Sequence, residues 1–441
     1  MRFGRSNDLK LVHCNIPANF QVSQYSRSGN FCYSQQVDTG CDRNKYKLPT
    51  VPKLIFEVYF SESKIQQLIL NPTEKMKIDR IEIYGYDLTY RYGDYIMSGN
   101  QVINSIPSTV VRICTDEGHE GWGEVCPLGP LYLASHGAGA RVAIREMAPV
   151  LIGIDPCNLG AIHQAMDSAL RGHSYAKSAV DIACWDILGK ETGKDVATLM
   201  GGRLQEDFKL YMAVPLGPAG DMQQYVSDRK AEGIQRFQLK IGADPREDAA
   251  RVEKVVEVID DQDILVADAN GGWRLQDAMI AARLLEPLQG VFFEEPCKTL
   301  EECLYVRQHT NLPMILDEVI TDVNTMVRAF NERGMEGVNL KISKFAGLTG
   351  SKLIRDLADK LGLRITIEDT WGGDLVSAAV SHLAASTKAD QVITVSFMND
   401  WTNEHICGYQ PRSRNGSGSA PRGPGLGVEV DPSQMKKLFS V

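Results

Sequence analysis

Apolar and polar residues along this chain fall into three successive regimes. Residues 1–75 show no sustained period, although the segment LIFEVYFSESKIQQLIL within them predicts a strand and a short helix. From Met76 the pattern sharpens. KIDRIEIYGYDL alternates as a half-buried strand does, and STVVRICTDEGHEGWGEV reads as two strands joined by a turn at Asp116-Glu117-Gly118. Helical periodicity comes next, at about 138–151, 159–170 and 176–192. Residues 76–205 therefore predict an α+β domain, strands first and helices after, placed as a cap on the larger C-terminal region.

From about 208 the pattern changes to regular alternation of strand and helix. Short apolar runs predict strands near 209–215, 235–241, 264–269, 291–295, 313–317, 337–343, 364–368 and 391–397. Helical segments such as PREDAARVEKVVEVI and LQDAMIAARLLEPL fill the gaps. Eight strands with helical connections close into an α/β barrel of the TIM type, so 206–441 is expected to be a (β/α)7β barrel. The Gly-, Ser- and Pro-rich stretch from Asn415 to Gly427 reads as loop. The GLGVEV run beside it reads as a last short strand returning to the first domain.

Composition narrows the classes. A chain of 441 residues, 43% hydrophobic, can bury one barrel of about 250 residues and a second domain. Net charge is −9 with no basic run, which excludes a typical nucleic-acid partner. No stretch of about 20 apolar residues is present, so no membrane-spanning helix is expected. The N-terminus has no apolar signal region. Its Arg2, Arg5, Lys10 and Arg27 against the single early acid Asp8 faintly resemble a transit peptide but lack an amphipathic period. Ten cysteines are dispersed without a CxxC pair, the pattern of reduced core thiols, and the expected location is the cytoplasm.

The chemistry is carried by five of the barrel runs, RFQLKIG, ILVADAN, VFFEEP, MILDEV and GVNLKIS. They place Lys240, Asp268, Glu294, Asp317 and Lys341 at one recurring position, the last inward-facing residue of a buried strand. The intervals are 28, 26, 23 and 24 residues, the spacing of successive βα units. Strand interiors rarely hold charge unless it is paired or bound to a metal. Taken alone, each acid reads most simply as a helix cap or as the partner of a lysine. Three in register read better as an all-oxygen site for Mg²⁺, and the absence of His or Cys among them argues against zinc. Two lysines on opposed strands flank that site and suit proton transfer at the α-carbon of a carboxylate substrate, with the metal stabilising the charge that develops. For a lysine to act as base its pKa must fall, the direction that burial and nearby cations favour. Lys344, past the strand end, reads as a structural ion-pair partner.

These residues make the chain similar to the enolase superfamily, in the mandelate racemase and muconate lactonizing enzyme group. The likeness spans about 76–441. The family's Lys-x-Lys motif on strand two is here Gln238-Leu239-Lys240, so only its second lysine is kept. Its metal ligands map to Asp268 of DAN, the first glutamate of Glu294-Glu295-Pro296, and Asp317 of Asp317-Glu318. Its strand-six lysine maps to Lys341 of LKISKFAGLTG. Strand seven has no histidine, which argues against an acid-sugar dehydratase.

Within the group, the segments FQLKIG, VADANGGW, EEPC, VNLKISKFAGLTG and TIEDTWGGDLVSAA resemble the cis-3-hydroxy-L-proline dehydratases, as do CPLGPLYL and RGHSYAKSAVDIACWDILGK in the cap. The resemblance implies Mg²⁺ as cofactor and a proline derivative as the small-molecule substrate, losing its Cα proton and 3-hydroxyl. It also implies that the cap loop carrying Tyr132 folds over the barrel mouth. Of the other candidate substrate contacts, Glu368, Asp369 and Thr370 at the end of strand seven read as holders of the ring ammonium or as a plain strand-to-helix turn. Trp371 reads as a cation contact or as packing, Gln238 as a donor to the carboxylate or as barrel packing, and Asn270 as a further contact. His136 and His173 read as satisfied polar residues. A homo-oligomer is expected. Two other outcomes stay open: 1,1-proton transfer in a racemase or proline-betaine epimerase, and a barrel that only binds. Gln238 and the N-terminal extension are the only support for the latter.

Overall fold

In β1 (Ile78–Thr89) and β2 (Ser105–Thr115) one set of alternating residues is fully buried, including Ile81, Ile83, Val111 and Ile113. The two strands pair antiparallel, and β3 (Glu120–Val125) joins β2 on its other side. The computed structural model describes residues 75–98 and 101–441, so the expected N-terminal extension lies outside the described residues except for Lys75. The buried face of this sheet is covered by α1 (Gly137–Leu151), α2 (Leu159–Ala169) and α3 (Ser174–Thr192). Helix α3 is buried without interruption from Tyr175 to Ile187, because it lies between the sheet and the barrel. Its contact with β3 is close enough to require glycine: a Cβ on Gly121 or Gly123 would overlap the backbone of Ala183 or Ala179.

Eight parallel strands come after the cap: β4 (Met212–Val214), β5 (Arg236–Lys240), β6 (Ile264–Asp268), β7 (Val291–Glu294), β8 (Met314–Leu316), β9 (Gly337–Lys341), β10 (Arg364–Glu368) and β11 (Val392–Val395). Each pairs with the next in sequence. A parallel bridge between Leu210 and Val395, with the Tyr211 N–H donating to the Val395 carbonyl at 2.9 Å, closes the last strand onto the first. Seven helices connect them: α4 (Ala219–Ala231), α5 (Pro245–Val256), α6 (Leu275–Leu285), α7 (Leu300–Arg307), α8 (Val323–Asn331), α9 (Leu348–Leu361) and α10 (Asp374–Ala385). The (β/α)7β barrel expected from the alternation is the observed fold.

The return to the first sheet is made by a different segment from the one expected. GLGVEV carries Gly425 and Gly427 at positive φ (71° and 68°), which breaks a strand, and it forms turns instead. The returning strand is β12 (Lys436–Ser440), which pairs antiparallel with β1. Among the described residues all seven cysteines are free, and no helix is long and apolar enough to cross a membrane.

Candidate active site

The inward positions of the barrel change character along its axis. Val266, Ile315 and Ile393 form an apolar plug across the interior, with Ile264 and Phe292 packed against it. One step further toward the C-terminal ends the inward side chains are polar: Gln238, Lys240, Asp268, Glu294, Asn339, Lys341 and Glu368. The two-residue period of the strands is the cause, since it turns Val266 and Asp268, or Asn339 and Lys341, to one face. Asp317 comes directly after β8. Its loop is fixed by Glu295, whose carboxylate accepts the Asp317 N–H at 2.8 Å and the Val319 N–H at 2.9 Å.

Asp268 and Asp317 are fully buried and Glu294 is 1% exposed. Lys240 donates to Asp268 at 2.6 Å. Lys341 donates to Asp317 and pairs with Glu368 at 2.7 Å. Lys344 donates to Asp317 Oδ1 at 2.8 Å and to its carbonyl at 2.6 Å, the structural ion pair that its place past the strand end suggests. Glu294 receives only neutral amides, Gln238 Nε2 at 3.0 Å and Asn339 Nδ2 at 2.7 Å.

These contacts set the electrostatics. Burial raises the pKa of all three acids. In Asp317 the two lysines overcome it and hold the carboxyl at about 2. In Glu294 burial and the negative charges of Asp268 and Asp317 push the carboxyl well above its ordinary range. Three all-oxygen groups that repel one another in a dry space are a donor set suited to a hard divalent cation. As the side chains stand, no three acidic, His or Cys groups among the described residues converge as a ligand cage. The lysine ammonium groups lie against two of the three carboxylates instead. The same pairing overturns the expected depression of the lysine pKa values. Burial disfavours each ammonium, but Asp268 beside Lys240, and Asp317 with Glu368 beside Lys341, outweigh it and hold both above the ordinary lysine range.

The other expected contacts divide. Tyr132 reaches in from the loop before α1, donating to Asp317 Oδ2 at 3.3 Å with its ring 5.7 Å from Lys341 Nζ. Asn270 is occupied elsewhere, donating to Glu318 at 3.0 Å and accepting from the Ser98 hydroxyl at 3.0 Å. The Thr370 hydroxyl is spent on the Cys126 carbonyl at 3.1 Å. Glu368 is held by Lys341, by Asn339 at 2.9 Å and by the Tyr211 hydroxyl. Asp369 accepts from Ser343 and from Thr370 N–H through Oδ1. Among the described residues its Oδ2, and the indole N–H of Trp371, have no partner although both are buried. His136 caps α1 by accepting the Gly139 N–H, and lies outside the site.

A small pocket at the barrel mouth brings together Tyr132, Gln238, Lys240, Lys341 and the run Glu368–Trp371. It also contains Tyr95, Tyr211 and Trp401, to which no motif in the sequence points. Tyr95 and Trp401 pack against Trp371 at centroid distances of 5.4 and 5.7 Å. Asn339 is a further site residue absent from the sequence expectations; its one signal is its place two residues before Lys341 on the same strand.

Comparison with known proteins identifies the family. Residues 98–201 match the mandelate racemase/muconate lactonizing enzyme N-terminal domain, and residues 221–434 match the enolase C-terminal domain-like family. A cis-3-hydroxy-L-proline dehydratase from Roseibium aggregatum is 45% identical over 80% of this chain and 96% of its own. An N-succinyl-L-Arg/Lys racemase from Bacillus cereus is 28% identical over 82% of this chain and 98% of its own. The crystal structure of an enolase-superfamily member from Roseovarius nubinhibens, complexed with magnesium, superposes with a TM-score of 0.78 at 33% identity, covering 83% of this chain and 99% of that one. With both domain models matched in order and a relative of this identity along nearly its whole length, the chain belongs to the enolase superfamily, in its mandelate racemase/muconate lactonizing enzyme group.

Proposed function

We propose that this protein is a Mg²⁺-dependent hydro-lyase that converts cis-3-hydroxy-L-proline to Δ1-pyrroline-2-carboxylate. The observation that carries the reading is the placement of Lys240 and Lys341 in one pocket, each against a different carboxylate of the acidic set. The 45% identity to a cis-3-hydroxy-L-proline dehydratase supports the substrate.

Asp268, Glu294 and Asp317 are the residues that would hold Mg²⁺, which when bound supplies stabilisation of the charge developing on the substrate carboxylate. The remaining work falls to the chain's own side chains. One lysine takes the Cα proton in its neutral form, which requires that the carboxylates now beside it, those that hold it protonated, be engaged elsewhere. The other, as an ammonium, protonates the departing 3-hydroxyl, so that water leaves as the Cα–Cβ double bond forms. The resulting enamine tautomerises to the pyrroline. Asp369 Oδ2 is the acceptor available for the ring ammonium, in the same pocket as Trp371. Gln238 and Asn339 fix Glu294 by donating to it.

Proton NMR of the protein with Mg²⁺ and cis-3-hydroxy-L-proline in D2O tests the reading. Loss of the Cα–H signal with growth of pyrroline-carboxylate resonances is the expected result. The opposed lysines and the racemase relative favour one other outcome, 1,1-proton transfer. Deuterium entry at Cα with the hydroxyl retained would establish that outcome instead. No change in the spectrum would refute this substrate.

A further inference from the structure

The two barrel helices that come after the sixth and seventh strands begin without a capping side chain of their own. Gly347 stands at the N-cap of α9 and Gly373 at that of α10. In α5, α7 and α8 the same place holds Asp244, Thr299 and Asp322, each accepting a backbone N–H of the first turn. For α9 and α10 the acceptors come from outside the barrel. Asp181, in the middle of α3, accepts the Thr349 N–H at 3.0 Å and the Thr349 hydroxyl at 2.5 Å. Glu124, in β3, accepts the Gly373 N–H and the Val376 N–H, both at 3.2 Å.

Both carboxylates are fully buried and are themselves held. His163 lies 2.6 Å from Asp181, while the hydroxyls of Tyr86 and Ser108 donate to Glu124 at 2.5 and 2.7 Å. The glycines make the approach possible. A Cβ on Gly347 would overlap the Asp181 carboxylate, and one on Gly373 would overlap the Tyr86 hydroxyl and crowd Glu124. A carboxylate at a helix N-terminus is favoured by the exposed N–H groups and by the helix dipole, so each contact holds its helix start in place.

The loops attached to those helix starts give the contacts their meaning. The turn from Lys341 to Gly347 leads straight into α9, closed by the Gly347 N–H donating to the Ile342 carbonyl at 2.9 Å. The run Asp369–Trp371 leads straight into α10, and Thr370 adds a bond to Cys126, two residues beyond Glu124. We propose that Asp181 and Glu124 are positioning residues: each caps a barrel helix across the domain boundary and thereby fixes one loop of the pocket, Asp181 that of Lys341 and Glu124 that of Asp369 and Trp371. The division of labour between the loops rests on the function proposed above; the capping itself does not.

The test uses Asp181→Asn and Glu124→Gln, which keep shape but turn one acceptor into a donor. Gly373→Ala is added because its φ of −90° accepts alanine, leaving only the crowding of Tyr86 and Glu124. Hydrogen exchange on the whole protein should quicken at least about tenfold at Thr349 in Asp181→Asn, and at Gly373 to Val376 in the other two, with each leaving the other site unchanged. With cis-3-hydroxy-L-proline, Asp181→Asn should lower kcat about 10- to 100-fold with little change in KM, as a displaced lysine does. Glu124→Gln and Gly373→Ala should instead raise KM with little change in kcat. Uniform acceleration of exchange through the barrel, no local acceleration, or identical kinetic effects in all three variants would overturn the proposal. A wild-type protein that leaves the substrate untouched would refute the substrate assignment alone, and the exchange result would still decide the capping.

Discussion

Glu294 lies directly opposite Asp268 in the register of β6 and β7, yet only Asp268 has a lysine against it. Glu294 is left with amide donors and the repulsion of two acids. A cation shared by the set relieves that repulsion, so Mg²⁺ should bind and stabilise the fold, by about 2.7 kcal/mol at a hundredfold excess over Kd. Asp268→Asn should weaken Mg²⁺ binding at least about tenfold and abolish turnover. Calorimetric titration of both proteins checks this, and unchanged affinity in the variant would remove Asp268 from the site.

Lys240→Ala and Lys341→Ala should each lower kcat by about 10²- to 10⁴-fold, the usual contribution of a positioned acid or base. The two differ in D2O. The variant lacking the base should no longer incorporate deuterium at Cα, whereas the one lacking the acid should exchange without eliminating. Turnover retained by either variant would exclude that lysine from the reaction.

Asp369 gives a pH signature. Burial pushes its carboxyl up to about 7, against the bonds from Ser343 and Thr370. A cationic ring nitrogen is bound by the ionised form, so kcat/KM should fall as pH drops below about 7, approaching tenfold per unit. Asp369→Asn should cost about 10- to 100-fold in kcat/KM, the worth of one charged hydrogen bond, and should flatten that limb. The same acid limb in the variant would show that another group produces it.

His382 governs stability rather than rate. It is fully buried in α10, accepting the Ala197 N–H at 3.2 Å on Nδ1 and donating from Nε2 to the Leu426 carbonyl at 3.0 Å. That arrangement needs a neutral ring, and burial lowers the pKa to about 4. The unfolded chain takes up the proton near 6.5. The contribution is therefore complete above pH 6.5 and is lost as pH falls toward 4, up to roughly 3 kcal/mol. Urea midpoints between pH 7 and 4.5 should decline less steeply in His382→Gln than in the wild type. Parallel declines would assign the acid sensitivity elsewhere.

The barrel is legible in the chain because its strands are short apolar runs at βα spacing, and because period two puts charge at the inward end of run after run. Partners across the barrel are not legible. Nothing in the local sequence of Tyr211 points to Glu368, and nothing in Asn339 points to Glu294, since both meet only after closure. The lysine pKa values depart from expectation for a related reason: burial is readable from an apolar run, but the carboxylate that opposes it sits on another strand. The return strand lies elsewhere than expected because GLGVEV alternates like a strand, while its two glycines at positive φ fold it into turns. KKLFS pairs at a sheet edge with too little apolar signal to stand out.

That return strand also imposes an order of assembly. Lys437 donates to Glu82, a residue 355 positions earlier. At ordinary translation speeds the ribosome needs on the order of tens of seconds to make the intervening chain. Throughout that interval β1 has an open backbone edge, able to pair with another nascent chain or to be sheltered by a chaperone. Among the described residues the first sheet to emerge is thus among the last to be completed, and a chain cut before Lys436 would leave a finished barrel under an unfinished cap.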